Sequence, residues 1–174
     1  MAIIVTAPEE YYGVEQNTRV KLFLAGGITN CPDWQSEIIK ALETEWKLII
    51  YNPRRKNFPI EDPNASEKQI AWEYDKLSKA DVICYWFAKG SVNPIVLYEL
   101  GMWGNSRSKR IVIGYDKEYE RKQDVIIQTQ LARPEVDVMS HWCDNFDKFI
   151  IEVADACNCE DEHGNEKPVF LGEH

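Results

Sequence analysis

Four short, nearly uninterrupted apolar runs recur along this chain, separated by longer segments whose apolar residues fall on one side of a helix. The runs are Val20 to Gly26, Trp46 to Tyr51, 82–87 and Arg110 to Tyr115. Runs of this length that do not alternate polar with apolar read as strands buried on both faces. Helical spacing fills the intervals. Residues 33–46 carry Trp34, Ile38, Ile39 and Leu42 in one stripe, 66–80 carry Ile70, Trp72, Leu77 and Ala80, and a further helix opens at Pro94. Residues 123–132 read as helical, Val136 to Val138 as a short fifth strand, and 144–156 as a closing helix with Phe146, Phe149, Ile150 and Val153 on one face. Strands alternating with helices imply a parallel sheet covered on both sides.

The length of 174 residues suits one domain with a full core. Residues 3–7 have the composition of a strand, but Pro8 and the polar stretch to Arg19 break the pattern. The expected organisation is therefore an N-terminal extension at 1–19, a domain at 20–156 and a polar C-terminal tail at 157–174. A net charge of −9 argues against a nucleic-acid polymer as partner, because phosphate backbones are held by clustered Lys and Arg. A small ligand fits better, and six Trp offer walls for a flat one such as a nucleobase. Five cysteines, an odd number, do not suit a secreted disulfide framework and point to a reducing cytoplasm. The first residues lack the basic start of a signal peptide, and no apolar run approaches the roughly 18 residues of a membrane span.

Ligands of such sheets bind outside the carboxyl ends of the strands, where strand order reverses. Gly26-Gly27, Tyr51-Asn52, the residues after Phe87 and the start of the Pro94 helix converge there. Asn93 followed by Pro94 reads as an N-cap and first-turn pair, and the Asn93 side chain is also placed to hold a ligand hydroxyl. Glu99 is the only charge between Pro94 and Asn105, and the residues three and four away on either side are Ile95, Val96, Met102 and Trp103. An acid in such company is a candidate for chemistry. Kept charged by the helix dipole, it is suited to attack a sugar carbon in a double displacement, with Glu73 or Asp75 on the preceding helix handling protons.

Gly26-Gly27 implies close backbone approach but lacks the further glycines and Lys of a phosphate loop. Arg54-Arg55-Lys56 is the single basic cluster and is suited to a substrate phosphate or carboxylate. Cys157 and Cys159 with His163 form half of a metal pattern without a second cysteine pair, so no metal is expected. His141 and Cys143 fit no thiol-nucleophile spacing.

The order Phe23-Leu-Ala-Gly-Gly, Tyr51-Asn-Pro-Arg-Arg, Ile70-Ala-Trp-Glu73, Ala80-Asp81-Val-Ile and Pro94-Ile-Val-Leu-Tyr-Glu99-Leu-Gly101 resembles the nucleoside 2-deoxyribosyltransferase family, in its divergent branch. The resemblance covers 21–115 well and 121–150 weakly. It implies an α/β flavodoxin-like three-layer sandwich with a five-stranded parallel sheet, and cleavage of the N-glycosidic bond of a 2-deoxyribonucleoside without cofactor or metal. Glu99 is then the nucleophile that takes the deoxyribosyl group before passing it to a second free base or to water. Glu73, with Asp75 near it, assists the departing base. Asn93 stands where the family has an acid and holds sugar hydroxyls. Phe23 stands where Tyr is frequent, so Tyr98 or Tyr51 is the expected source of a substitute hydroxyl. The family also includes hydrolases of nucleoside 5-monophosphates, for which Arg54 and Arg55 are suited, and related domains serve as nucleotide or ADP-ribose sensors. A homo-oligomer is implied, with 139–145 lending polar groups across the interface.

Overall fold

The computed structural model describes residues 1–59, 61–138 and 146–157. Its five strands are β1 (Ile3–Thr6), β2 (Val20–Gly26), β3 (Leu48–Asn52), β4 (Val82–Phe87) and β5 (Arg110–Tyr115). All pair in parallel in the order β1-β3-β2-β4-β5. The helices are α1 (Trp34–Leu42), α2 (Ala65–Lys79), α3 (Pro94–Trp103), α4 (Lys122–Ala132) and α5 (Phe146–Cys157). This is an α/β flavodoxin-like three-layer sandwich. No helix among the described residues is long and apolar enough to cross a membrane.

Strand alternation sorts the side chains between the two outer layers. Phe23 and Ala25 of β2, Ile83, Tyr85 and Phe87 of β4, and Ile113 of β5 belong to a core that also contains Trp72 and Leu77 of α2, Val96 of α3 and Val125 of α4. Their neighbours Leu22, Leu24, Val82, Cys84 and Val112 share a second core with Trp34, Ile38 and Leu42 of α1 and with Phe149 and Val153 of α5. Both faces of each central strand are thus buried, which is why these strands read as continuous apolar runs.

The sequence expectation needs correction at both ends of the sheet. Residues 3–6, assigned to an N-terminal extension, form an edge strand in register with β3, Ile3 opposite Ile49 and Thr6 opposite Asn52. The segment stays attached beyond β1: the Trp72 indole donates to the Glu9 carbonyl at 2.7 Å, and the buried Lys76 pairs with Glu10 and Asp75. Pro8 ends the strand, yet Glu9 and Glu10 remain docked on α2. At the other end, Val138 makes only an isolated parallel bridge to Ile113, so 136–138 is not the fifth strand. Smaller differences reflect local chemistry. Trp46 lies in the turn before β3 and is exposed, and Ile70 is 65% exposed on the outer side of α2. The polar tail beyond Cys157 and the segment 139–145 lie outside the described residues.

The chain runs from β2 to β3 on one side and then crosses to β4 on the other. The switch point therefore lies between β2 and β4, at Gly26 and Phe87.

Candidate active site

A cavity of about 260 Å³ opens at that switch point. This is room for one small molecule rather than a polymer strand. The end of β2 supplies Phe23, Gly26 and Gly27 to it, the loop after β3 supplies Pro53, and α2 supplies Glu73. Asn93 and the first two turns of α3, including Ile95, Val96 and Glu99, close the far side.

The two glycines are demanded by contact. A Cβ on Gly26 would lie 2.3 Å from the Trp34 ring and 2.6 Å from the Trp86 carbonyl oxygen. One on Gly27 would lie 2.2 Å from Asn93 Oδ1 and 2.4 Å from Cys31 Sγ. Asn93 is buried in the left-handed region (φ 52°, ψ 53°), a conformation that Asn tolerates better than most residues. Its backbone carbonyl accepts from Leu97 N at 3.1 Å, as an N-cap residue does. Its side chain does not cap: Nδ2 donates to the carbonyls of Ala88 (3.2 Å) and Ser91 (3.1 Å). The expected side-chain N-cap is thus replaced by a brace on the loop after β4. Ile95 and Val96, at the uncapped start of α3, line the cavity.

Glu99 is the sixth residue of α3 and is half-buried. Burial first, and then the charge of Glu73, push its carboxyl up to about 8. The helix dipole acts within the first turn, and farther along desolvation opposes it. Burial also raises Glu73, against the lowering effect of a hydrogen bond from Gln69.

Other sequence candidates lie elsewhere. Asp75 accepts from Lys76 (2.9 Å) and pairs with Lys79 (2.7 Å); burial raises its carboxyl, but these lysines outweigh it and hold it below the usual range. Tyr51 is buried edge-on against Trp72 at 6.3 Å and Tyr98 is 67% exposed, and neither lines the cavity. Asn52 Oδ1 accepts from Arg54 N at 3.0 Å. The Arg54 guanidinium donates to the carbonyls of Gly27 (3.3 Å), Cys31 (3.4 Å) and Pro32 (2.8 Å) and to Gln35 Oε1 (2.8 Å), and pairs with Asp33 at 3.2 Å. It shapes the loop after β2 rather than standing ready for a phosphate. The tyrosine that does reach the Glu99 turn is Tyr85 of β4, whose hydroxyl donates to the Glu99 carbonyl at 3.4 Å. Its place within an apolar strand hid it from the sequence reading. Among the described residues, no group of three or more His, Cys, Asp or Glu is placed to hold a metal ion.

The parallel sheet thus carries a small cavity at its switch point, lined by two half-buried carboxyls and two closely packed glycines. The chain belongs to the nucleoside 2-deoxyribosyltransferase-like family, which matches residues 19–119, more than half of its length. That span contains every residue lining the cavity. Membership carries deoxyribosyltransferase-type glycosidic chemistry and hence an enzyme of that class. No curated protein matches the chain.

Proposed function

We propose that the protein cleaves the N-glycosidic bond of a 2-deoxyribonucleoside and transfers the deoxyribosyl group to another base through a covalent intermediate on Glu99. The observation that carries this reading is the presence of Glu99 and Glu73 in one cavity, with Glu99 pushed up to about 8 by burial and by Glu73. At neutral pH such a pair keeps one proton between two carboxyls.

One proton suffices for the cycle. It passes from Glu99 to Glu73 as the nucleoside binds. The Glu99 carboxylate attacks C1 of the sugar, the C1–N bond breaks with its electron pair on the base nitrogen, and Glu73 gives that nitrogen the proton. The products are a neutral glycosyl ester on Glu99, an ionised Glu73 and the free base. An incoming base attacks C1 from the opposite side, loses its N–H proton to Glu73 and releases Glu99, which regains the proton. Two displacements retain the configuration at C1. Asn93 and the backbone at Gly27 hold sugar hydroxyls, and Phe23 packs against the sugar or base. No step requires a cofactor.

Hydrolysis of a nucleoside 5-monophosphate is the second reading. It is favoured by the uncapped start of α3 at Ile95 and Val96, where an anion is stabilised by free amides. We further propose a homo-oligomer in the cytoplasm. Ile95, Tyr98 and Met102 give α3 an exposed apolar side, and five cysteines, an odd number, suit a reducing compartment.

The test incubates the full chain with a deoxynucleoside and a different free base, and separately with a deoxynucleoside 5-monophosphate, and follows the bases by chromatography. Transfer predicts a new nucleoside. Free base from the nucleotide alone assigns the hydrolase, and no release from either substrate overturns both readings.

A further inference from the structure

Gln69 lies one turn before Glu73 on α2, and its amide is aimed entirely at the cavity wall. Nε2 donates to Glu73 at 2.7 Å and to the Pro53 carbonyl at 2.9 Å, and both acceptors belong to residues that line the cavity. Its Oε1 is buried with no hydrogen-bond partner. A buried amide normally satisfies both ends, and an unpaired acceptor is destabilising. The orientation is therefore held for its donors. Pro53 gives the amide a fixed anchor, because its carbonyl comes directly after β3.

Among the described residues, the charged and ionisable surroundings of Glu73 are few. Glu99 stands on α3, and Tyr85 on β4 is pushed well above its usual range by burial and by the Glu99 charge. Phe23 of β2 is apolar. Arg54, after β3, is bound to the 27–33 loop, and on α2 itself Asp75 is taken by Lys76 and Lys79. Gln69 is thus the neutral donor that acts directly on the Glu73 carboxyl, and donation to a carboxylate favours its charged form.

We propose that Gln69 is a positioning residue for Glu73: anchored on the Pro53 carbonyl, it holds that carboxyl by a hydrogen bond that favours its charged form against the opposing effect of burial, and so leaves the pair's proton on Glu99 until substrate arrives. This rests on the reading of Glu99 and Glu73 as the glycosidic pair. Without the donor, Glu73 competes for the proton in the resting site, and the proton's position no longer changes in step with substrate binding.

The test tracks the infrared band of protonated carboxyl groups against pH in the full chain, in Gln69→Met and Gln69→Leu, each also combined with Glu99→Gln, beside steady-state kinetics. In the otherwise unchanged protein, a band lost near pH 8 should disappear in Glu99→Gln. In the Gln69 variants the titration should shift by about one pH unit, and part of the band should survive Glu99→Gln because Glu73 now holds the proton. Kinetically kcat should fall about tenfold with KM changed less than about threefold, the mark of a defect in the chemical step. A titration superimposable on that of the unchanged protein in both variants, or a raised KM at unchanged kcat, overturns the positioning role. A shifted titration in a protein that releases no base supports the role of Gln69 and contradicts the glycosidic reading.

Discussion

The hydroxyl of Tyr85, from the middle of the sheet, donates to the backbone carbonyl of Glu99 at 3.4 Å and ties the turn carrying the acid to β4. The phenol itself is fully buried. Tyr85→Phe keeps the packing and removes the tie. A net hydrogen bond is worth about 0.5–1.5 kcal/mol, so kcat is expected to fall roughly twofold to tenfold with an intact fold and a similar KM. Circular dichroism and steady-state kinetics check this.

The pair's single proton sets the pH dependence of turnover. Activity should be highest while one carboxyl is protonated and should fall as pH rises through about 8, where Glu99 loses that proton. A nucleophile that had only to be ionised would give the opposite slope. A profile of kcat/KM for the free enzyme between about pH 5 and 10 separates the two.

Stability should carry the same signature. The folded-state pKa of Glu99 is raised above its unfolded value, so the native state binds more protons between about pH 4.5 and 8, and unfolding free energy falls across that window as pH rises. The loss is on the order of a few kcal/mol. Glu99→Gln removes the titration, so its melting temperature should exceed that of the unchanged protein at about pH 9 and approach it at about pH 5. Thermal melts at the two pH values measure the difference.

Gly27 has no room for a methyl group. In Gly27→Ala the new Cβ meets Asn93 Oδ1 and Cys31 Sγ, so the loop after β2 and the entry to α3 must separate. Overpacking of this kind costs about 1–3 kcal/mol. A lower melting temperature with a several-fold higher KM is expected, and Gly101→Ala is the control, because a Cβ there meets nothing within 4 Å.

The central sheet was legible because burial on both faces leaves a continuous apolar run, as in Leu22, Phe23, Leu24 and Ala25. β1 was not, because four residues ended by Pro8 carry too little pattern, and their placement comes from pairing with Ile49–Asn52 far along the chain. In the site, strand ends predicted which segments converge, while helix phase decided which side chains enter. Asp75 is two residues from Glu73 and so about 200° around α2, and Tyr98 is about 100° from Glu99 around α3. Neither lines the cavity. Gln69 did leave a signal, a donor four residues before an acid on one helix face. Tyr85 left none, since a tyrosine in an apolar strand looks like core until the helix above it is placed.

The most direct test is covalent trapping. A nucleoside with a 2-fluoro sugar and a good leaving base, incubated with the full chain, should add one glycosyl mass that peptide mapping assigns to Glu99, and Glu99→Gln should remain unlabelled and inactive. Labelling at another residue, or near-normal turnover in Glu99→Gln, would contradict the account.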